Sequence, residues 1–209
     1  MVRIYVGPKK QKWVVHQDVI CKKSQWFRRV FTCELFKSAH TKEIYLEKAN
    51  PKTFERFVDW SYGRPLLCEE SHENPADVTF DHVKEWLQLY IFADGISLDE
   101  LCKEALVQYQ ACSEWTLPCT EEIELIYENT LEDSPLREHA INALIEEFFS
   151  PGPKSFEFFR DAIACNVNFA RELSMASKKH TDLENRKDCT LNNCPIHTKA
   201  RRRPRKKFW

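Results

Sequence analysis

The richest set of metal-binding side chains lies near the C-terminal end, where His180, Cys189, Cys194 and His197 follow one another. In Cys194-Pro195-Ile196-His197 a two-residue spacer lets a thiol and an imidazole reach one ion. Four ligands of Cys₂His₂ type would close a tetrahedral structural zinc site, whose role would be to order the segment around it. The spacing from His180 to Cys189 to Cys194 is not that of a DNA-reading finger, and no apolar residues stand ready to form a ββα unit. The competing reading is a solvated tail with incidental thiols. A catalytic ion would need a general base beside an open position, and none is evident. Lys199, Arg201, Arg202, Arg203, Arg205, Lys206 and Lys207 follow as a basic run interrupted by Pro204. Such a run serves as a nuclear import signal or a phosphate contact, unless it is only a solvated tail.

Elsewhere the residues argue against catalysis. Four glycines in the whole chain leave no phosphate-cradling loop and no dinucleotide fingerprint. There is no His-Glu-x-x-His and no Gly-x-Ser-x-Gly elbow. A Cys/His nucleophilic pair is the one catalytic route left open. The expectation is a protein that is not an enzyme, with no small-molecule substrate and no cofactor beyond the tail zinc.

The 209 residues are 43% hydrophobic, enough for one sizeable core or a core with a helical annex. Net charge is −1 overall but uneven. Asp99 to Glu147 holds 13 Asp/Glu against 2 Lys/Arg, a net of −11, and Lys178 to Trp209 holds 11 Lys/Arg against 3 Asp/Glu, a net of +8. This pattern reads as an acidic folded face and a basic tail, which attract only near contact because screening acts over about 8 Å at physiological salt. Nine cysteines, an odd number, sit mostly among apolar neighbours, and Cys102, Cys112 and Cys165 read as small buried hydrophobes. Met1 to His16 has no signal-like apolar run, and no stretch approaches the ~20 apolar residues of a membrane span. The expected setting is the nucleus or cytoplasm, with free thiols and no membrane.

The positioning elements follow from periodicity. Val2, Ile4 and Val6 alternate with Arg3 and Tyr5 as a half-buried strand, Gly7-Pro8-Lys9-Lys10 turns, and Lys12 to Val15 returns. Asp18 to Lys23 is a short helix. Ser24 caps another, whose Phe27, Val30 and Phe31 share a face. Glu43 to Leu46 has strand spacing. Asn50-Pro51 starts a helix with Phe54, Phe57 and Val58 as its stripe, ended by Tyr62-Gly63-Arg64-Pro65. A polar loop is expected over about 69–77. Val83, Trp86, Leu87, Tyr90 and Ile91 mark the clearest helix, ended at Gly95. Ser97 and Glu100 read as a capping box for the next, with Leu98, Leu101, Cys102, Ala105, Leu106 and Tyr109 inward. Further helices start at Thr120 and at Ser134-Pro135, and one helix covers about Ser155 to Met175. Little order is expected beyond Lys178. Strands first and helices later imply an α+β fold, a small mixed sheet covered by helices and followed by a helical part.

His16-x-x-Val19-Ile20-x-x-x-Ser24-x-x-Phe27 resembles the signature of the BTB/POZ family. Ile44-Tyr45-Leu46 is similar to that family's third strand. Trp60-Ser61-Tyr62-Gly63 resembles its helix ending in an aromatic-Gly pair, and Tyr90-Ile91-Phe92-Ala93-Asp94 resembles its Ala-Asp helix. Pro135-Leu136-Arg137 and the Cys/His-containing end are similar to the short BTB proteins of filamentous fungi. The resemblance implies a BTB/POZ domain at 1–112, a helical extension at 113–177 and a flexible basic tail at 178–209. It also implies a protein-interaction function, with a cullin of a ubiquitin ligase as one partner. In cullin adaptors a hydrophobic–x–acidic tripeptide follows the aromatic-Gly pair, and Leu67-Cys68-Glu69 stands there. Trp60, Tyr62, Leu67 and Glu69 are thus the candidate partner-binding residues; for Leu67 to Glu69 the alternative is a fourth strand edge. His16 is expected to bond backbone or cap a helix, and Trp26, Phe27, Phe31, Trp60 and Trp86 to be core before anything else. The resemblance leaves a homodimer open as a further partner, but in doubt by the long-form route, since the segment that long-form members swap is not seen ahead of the first strand. The second functional reading is a nuclear transcription or chromatin regulator whose tail contacts nucleic acid.

Overall fold

The computed structural model describes residues 1–68, 79–113, 116–149 and 155–185. The expected loop at 69–77, Glu69, Cys189, Cys194, His197 and the basic run lie outside these residues. The chain divides into two compact units, Met1–Cys112 and Ser113–Trp209.

The first unit is built on a three-stranded mixed sheet of order β2-β1-β3. Strand β1 (Val2–Val6) pairs antiparallel with β2 (Gln11–Val15) and parallel with β3 (Glu43–Leu46). A parallel pair needs a crossover, and α1 (Gln17–Lys23), α2 (Gln25–Thr32) and α3 (Lys37–Thr41) supply it. Val2, Ile4 and Val6 are fully buried on one face. On the other, Tyr5 stacks on Tyr45 at 4.7 Å and Arg3 pairs with Glu43. Ser24 caps α2 as expected, accepting from the Phe27 N–H. α3 was not expected. It buries none of its residues, so no apolar stripe announces it.

Asn50 and Pro51 begin α4 (Pro51–Ser61), with Asn50 Oδ1 accepting from the Lys52 N–H at 2.9 Å. Its Phe57 lies at the centre of a ring cluster, with Phe27, Phe54 and Phe92 centroids 5.4–5.6 Å away. Each buried ring contributes about 1.5–3 kcal/mol by leaving water. α5 (Phe80–Gly95) buries Val83, Trp86, Leu87 and Tyr90, and α6 (Asp99–Ser113) buries Leu101, Cys102, Ala105 and Tyr109. Ser97 does not cap α6. It adopts a left-handed φ of 52°, while Leu98 N–H donates to the Ala93 carbonyl, so this turn closes α5.

The second unit contains α7 (Thr120–Asn129), α8 (Pro135–Phe149), α9 (Ser155–Cys165) and α10 (Val167–Asn185). The single helix expected over 155–175 is two. Asn166 Oδ1 accepts from the N–H groups of Asn168 and Phe169, restarting the backbone as α10. α10 then continues to Asn185, past the expected boundary at 178. Arg137 is buried in this unit. Its guanidinium donates to Glu172 Oε1 at 3.0 Å, to Thr130 Oγ1 at 3.0 Å and to the Tyr127 and Thr130 carbonyls. It also lies 4.4 Å from the Tyr127 ring centroid. α7, α8 and α10 are thereby joined through one side chain.

Candidate functional site

The end of α4 and the segment after it carry the expected partner-binding residues. Tyr62 terminates the helix, and Gly63 at φ 85° reverses the chain so that Arg64 N–H reaches the Asp59 carbonyl at 3.0 Å. A side chain at Gly63 would be strained in this left-handed conformation, which explains the aromatic-Gly pair. Arg64 Nη1 bonds Asp59 Oδ1 at 2.8 Å across the same turn.

Trp60 and Tyr62 diverge from here. Trp60 is 4% exposed. Its Nε1–H donates to Glu104 Oε1 at 3.0 Å, and the Lys23 ammonium sits 4.3 Å from its ring centroid. Both faces of its chemistry are spent inside the unit, so Trp60 supports the surface and does not form it. Tyr62 is 46% exposed, with its hydroxyl accepting from the His16 backbone N–H at 3.1 Å and pairing with His16 Nδ1 at 2.7 Å. His16 was expected to bond backbone or cap a helix. Its ring instead meets Tyr62, and it makes no side-chain cap to α1.

Beyond Gly63 the segment 64–68 is neither helix nor strand, so no fourth strand edge runs through Leu67. It alternates: Leu66 is buried, Leu67 is 63% exposed, and Cys68 turns in toward α5. The exposed apolar surface of this unit also includes Leu35 and Phe36, after α2.

Cys68 leads to a group that the sequence did not announce. Its Sγ lies 3.4 Å from His82 Nε2, and the same nitrogen lies 3.2 Å from Cys112 Sγ. The three donor atoms fall within 4.8 Å of one another. Cys68 is on the segment after α4, His82 in the first turn of α5 and Cys112 in the last turn of α6. Cys112 is buried, as expected, but it is part of this cluster and not merely a small hydrophobe. Cys165 is only half-buried. Among the other thiols, burial pushes Cys102 up to about 12, with Asp94 and Asp99 adding to the effect, and burial pushes Cys119 up to about 11. Both remain protonated and inert at neutral pH.

Of the expected zinc ligands, His180 lies on α10 and the other three fall outside the described residues. No described helix is long and apolar enough to cross a membrane.

A family model described as the BTB/POZ domain matches residues 2–94. No curated protein matches the chain. The match covers the sheet, the crossover helices, α4 and nearly all of α5, which are the elements that place Tyr62 and Leu67; α6 lies beyond it. Domains of this family are protein–protein interaction modules and generally not enzymes. Over residues 2–94, this chain carries a BTB/POZ domain, and with it the function of binding other proteins.

Proposed function

We propose that the chain is a recruitment adaptor whose BTB/POZ domain docks a cullin scaffold of a ubiquitin ligase through the surface that follows α4. The observation that supports this most is Leu67. An exposed leucine alone means little. This one is held between inward-turned neighbours, on a segment that begins beside the exposed ring of Tyr62. A leucine fixed in that way inserts into an apolar groove without first losing much conformational freedom. Glu69, two residues on, would supply the charge at the rim of that groove, and rim charges act mainly on partner choice and on-rate. The proposed setting is the nucleus or cytoplasm.

The test is binding of the full chain to a purified cullin N-terminal region. Leu67→Asp should weaken binding by about 30-fold or more, the size of a central hot spot. Its far-UV circular dichroism should be unchanged, because Leu67 is exposed. Absence of binding by the unsubstituted chain would exclude the cullin and leave the interaction module in place.

A second reading is supported by the net charge of +8 over Lys178 to Trp209, 11 basic against 3 acidic residues. In it the BTB/POZ domain recruits partners while Lys199 to Lys207 contacts nucleic acid. It predicts salt-sensitive DNA or RNA binding that disappears when Lys199 to Trp209 is deleted.

A further inference from the structure

The Cys68, His82 and Cys112 cluster has the composition and the spacing of a metal centre. We propose that these three side chains hold one zinc ion, through Cys68 Sγ, His82 Nε2 and Cys112 Sγ. This site is distinct from the residues expected to bind zinc near the C-terminal end, and it stands whichever partner meets Leu67.

Geometry is the first argument. A tetrahedral zinc ion with bonds of about 2.3 Å to sulfur and about 2.0–2.1 Å to nitrogen sets its sulfur and nitrogen ligands about 3.5 Å apart. The two sulfur–nitrogen separations are 3.4 and 3.2 Å, and all three donor atoms lie within 4.8 Å. Small rotations of the side chains therefore admit the ion without moving the backbone.

The second argument is chemical. Both sulfurs converge on the same nitrogen, and one Nε2 carries either a proton or a lone pair. A cation placed among the three can take a lone pair from each of the converging donor atoms. Two thiolates and an imidazole form a donor set that zinc accepts and that calcium or magnesium does not. On binding, the two thiols release their protons to solvent, and neutral His82 directs its Nε2 lone pair to the ion.

The scaffold is the third argument. The ligands come from two helix ends and one connecting segment, and both helix ends are fixed independently of any ion. Thr79 caps α5, its hydroxyl accepting from the His82 N–H, which sets the first turn where that imidazole sits. Cys112 is fully buried at the end of α6. The first turn of α5 also presents the positive end of its dipole to two thiolates. Three protein ligands leave one coordination position for water or a further donor. The role is structural: the ion would fasten the segment after α4 to the ends of α5 and α6.

The test uses the full chain carrying Cys189→Ser and Cys194→Ser, so that distant thiols do not compete. The metal-free, reduced protein is titrated with cobalt(II) and then with zinc. The expected result is one equivalent bound, with the visible bands of tetrahedral cobalt and a near-ultraviolet thiolate charge-transfer band, both erased by zinc. Cys68→Ser should roughly halve the charge-transfer band. Cys68→Ser and His82→Gln should each weaken zinc binding beyond the about 10–100-fold that loss of an outer-shell partner costs. Replacing buried Cys112 risks unfolding, so these two half-buried positions carry the test, with circular dichroism confirming their folds. Zinc should also raise the thermal midpoint of the parent but not of Cys68→Ser. No binding, an octahedral cobalt spectrum, or a spectrum indifferent to both substitutions overturns the site.

Discussion

In Met1–Cys112 the deepest groups are rings and aliphatic chains: Phe27, Phe54, Phe57 and Trp86 beside Ile4 and Leu87. The charged pairs of that unit stay at its margins, as with Arg56 and Glu85, which are each about one-third exposed. In the unit from Ser113 a guanidinium lies as deep as its apolar neighbours, and Arg137 touches Tyr127, Thr130 and Glu172 at once. Apolar packing is non-directional and gives stability in proportion to buried area. A buried guanidinium has many donors to satisfy, so it costs much to desolvate and tolerates few arrangements of the helices around it. The first unit is therefore held chiefly by area, and the second by area together with one geometric constraint.

The comparison can be broken most sharply at its two centres. Arg137→Met should cost the second unit about 3–5 kcal/mol, because Glu172 is left largely buried without its partner. Phe57→Ala should cost the first unit a similar about 3–5 kcal/mol by opening a cavity among the rings. The two changes should fall on different transitions in denaturant unfolding. Four of the six tryptophans, Trp13, Trp26, Trp60 and Trp86, lie in the first unit and Trp115 and Trp209 in the second, so tryptophan fluorescence should report Phe57→Ala more strongly than Arg137→Met. Helical circular dichroism should report both. Adding Glu172→Met to Arg137→Met should recover much of the loss, since an apolar pair replaces an ionic one at small net cost. A double variant no better than the single would show that the network, not the unpaired charge, sets the cost.

Acid should sharpen the same contrast more gently. Burial lowers the pKa of His139 from its ordinary 6.5. The folded second unit therefore resists protonation of His139. The stability this gives is intact above pH 6.5 and is lost as pH falls below it, toward the folded value. In the first unit, burial raises the Glu85 pKa, but the Arg56 hydrogen bond and charge, helped by Lys52, bring it below the ordinary 4.5. That contribution is intact above pH 4.5 and fades only below it. In an acid titration the helical signal should begin to fall at higher pH than the tryptophan signal, and His139→Gln should narrow the gap. Coincident curves would refute this.

Much of the first unit was legible because its local signals agree with its packing. Asn50-Pro51 and Ser24 cap the helices they announce, and the stripe from Val83 to Tyr90 is buried. Reading failed in two ways: at α3, Ser97 and Asn166 a local turn or cap broke the expected pattern, and elsewhere the decisive interaction came from a distant element. Ser97 has a capping residue's chemistry but is used to close the preceding helix. Trp60 is buried, as its core reading expected, but the partners that hold it there, Glu104 and Lys23, come from other elements and could not be read. Arg137 is one basic residue in an acidic stretch, and nothing about its neighbours discloses that it is buried. Cys68, His82 and Cys112 are separated by 14 and 30 residues and share no compact motif, so only the antiparallel return of α6 along α5 brings them together. Apart from α3 and the break between α9 and α10, the order of elements was readable; the encounters between distant side chains were not.

The parallel pairing of β1 with β3 has a kinetic consequence. β1 can zip to β2 across the Gly7–Lys10 turn at once, on the timescale of about 1–10 μs typical of a hairpin. Its other edge waits for a partner 40 residues away, as the Arg3–Glu43 pair shows. That partner arrives only when α1, α2 and α3 have compacted enough to carry it back, and the entropy of closing that loop must be met first. The late step in assembling this unit is thus the docking of Glu43–Leu46. Changes at Ile44 should act mainly on the rate of unfolding, whereas changes in the β1–β2 hairpin should slow folding.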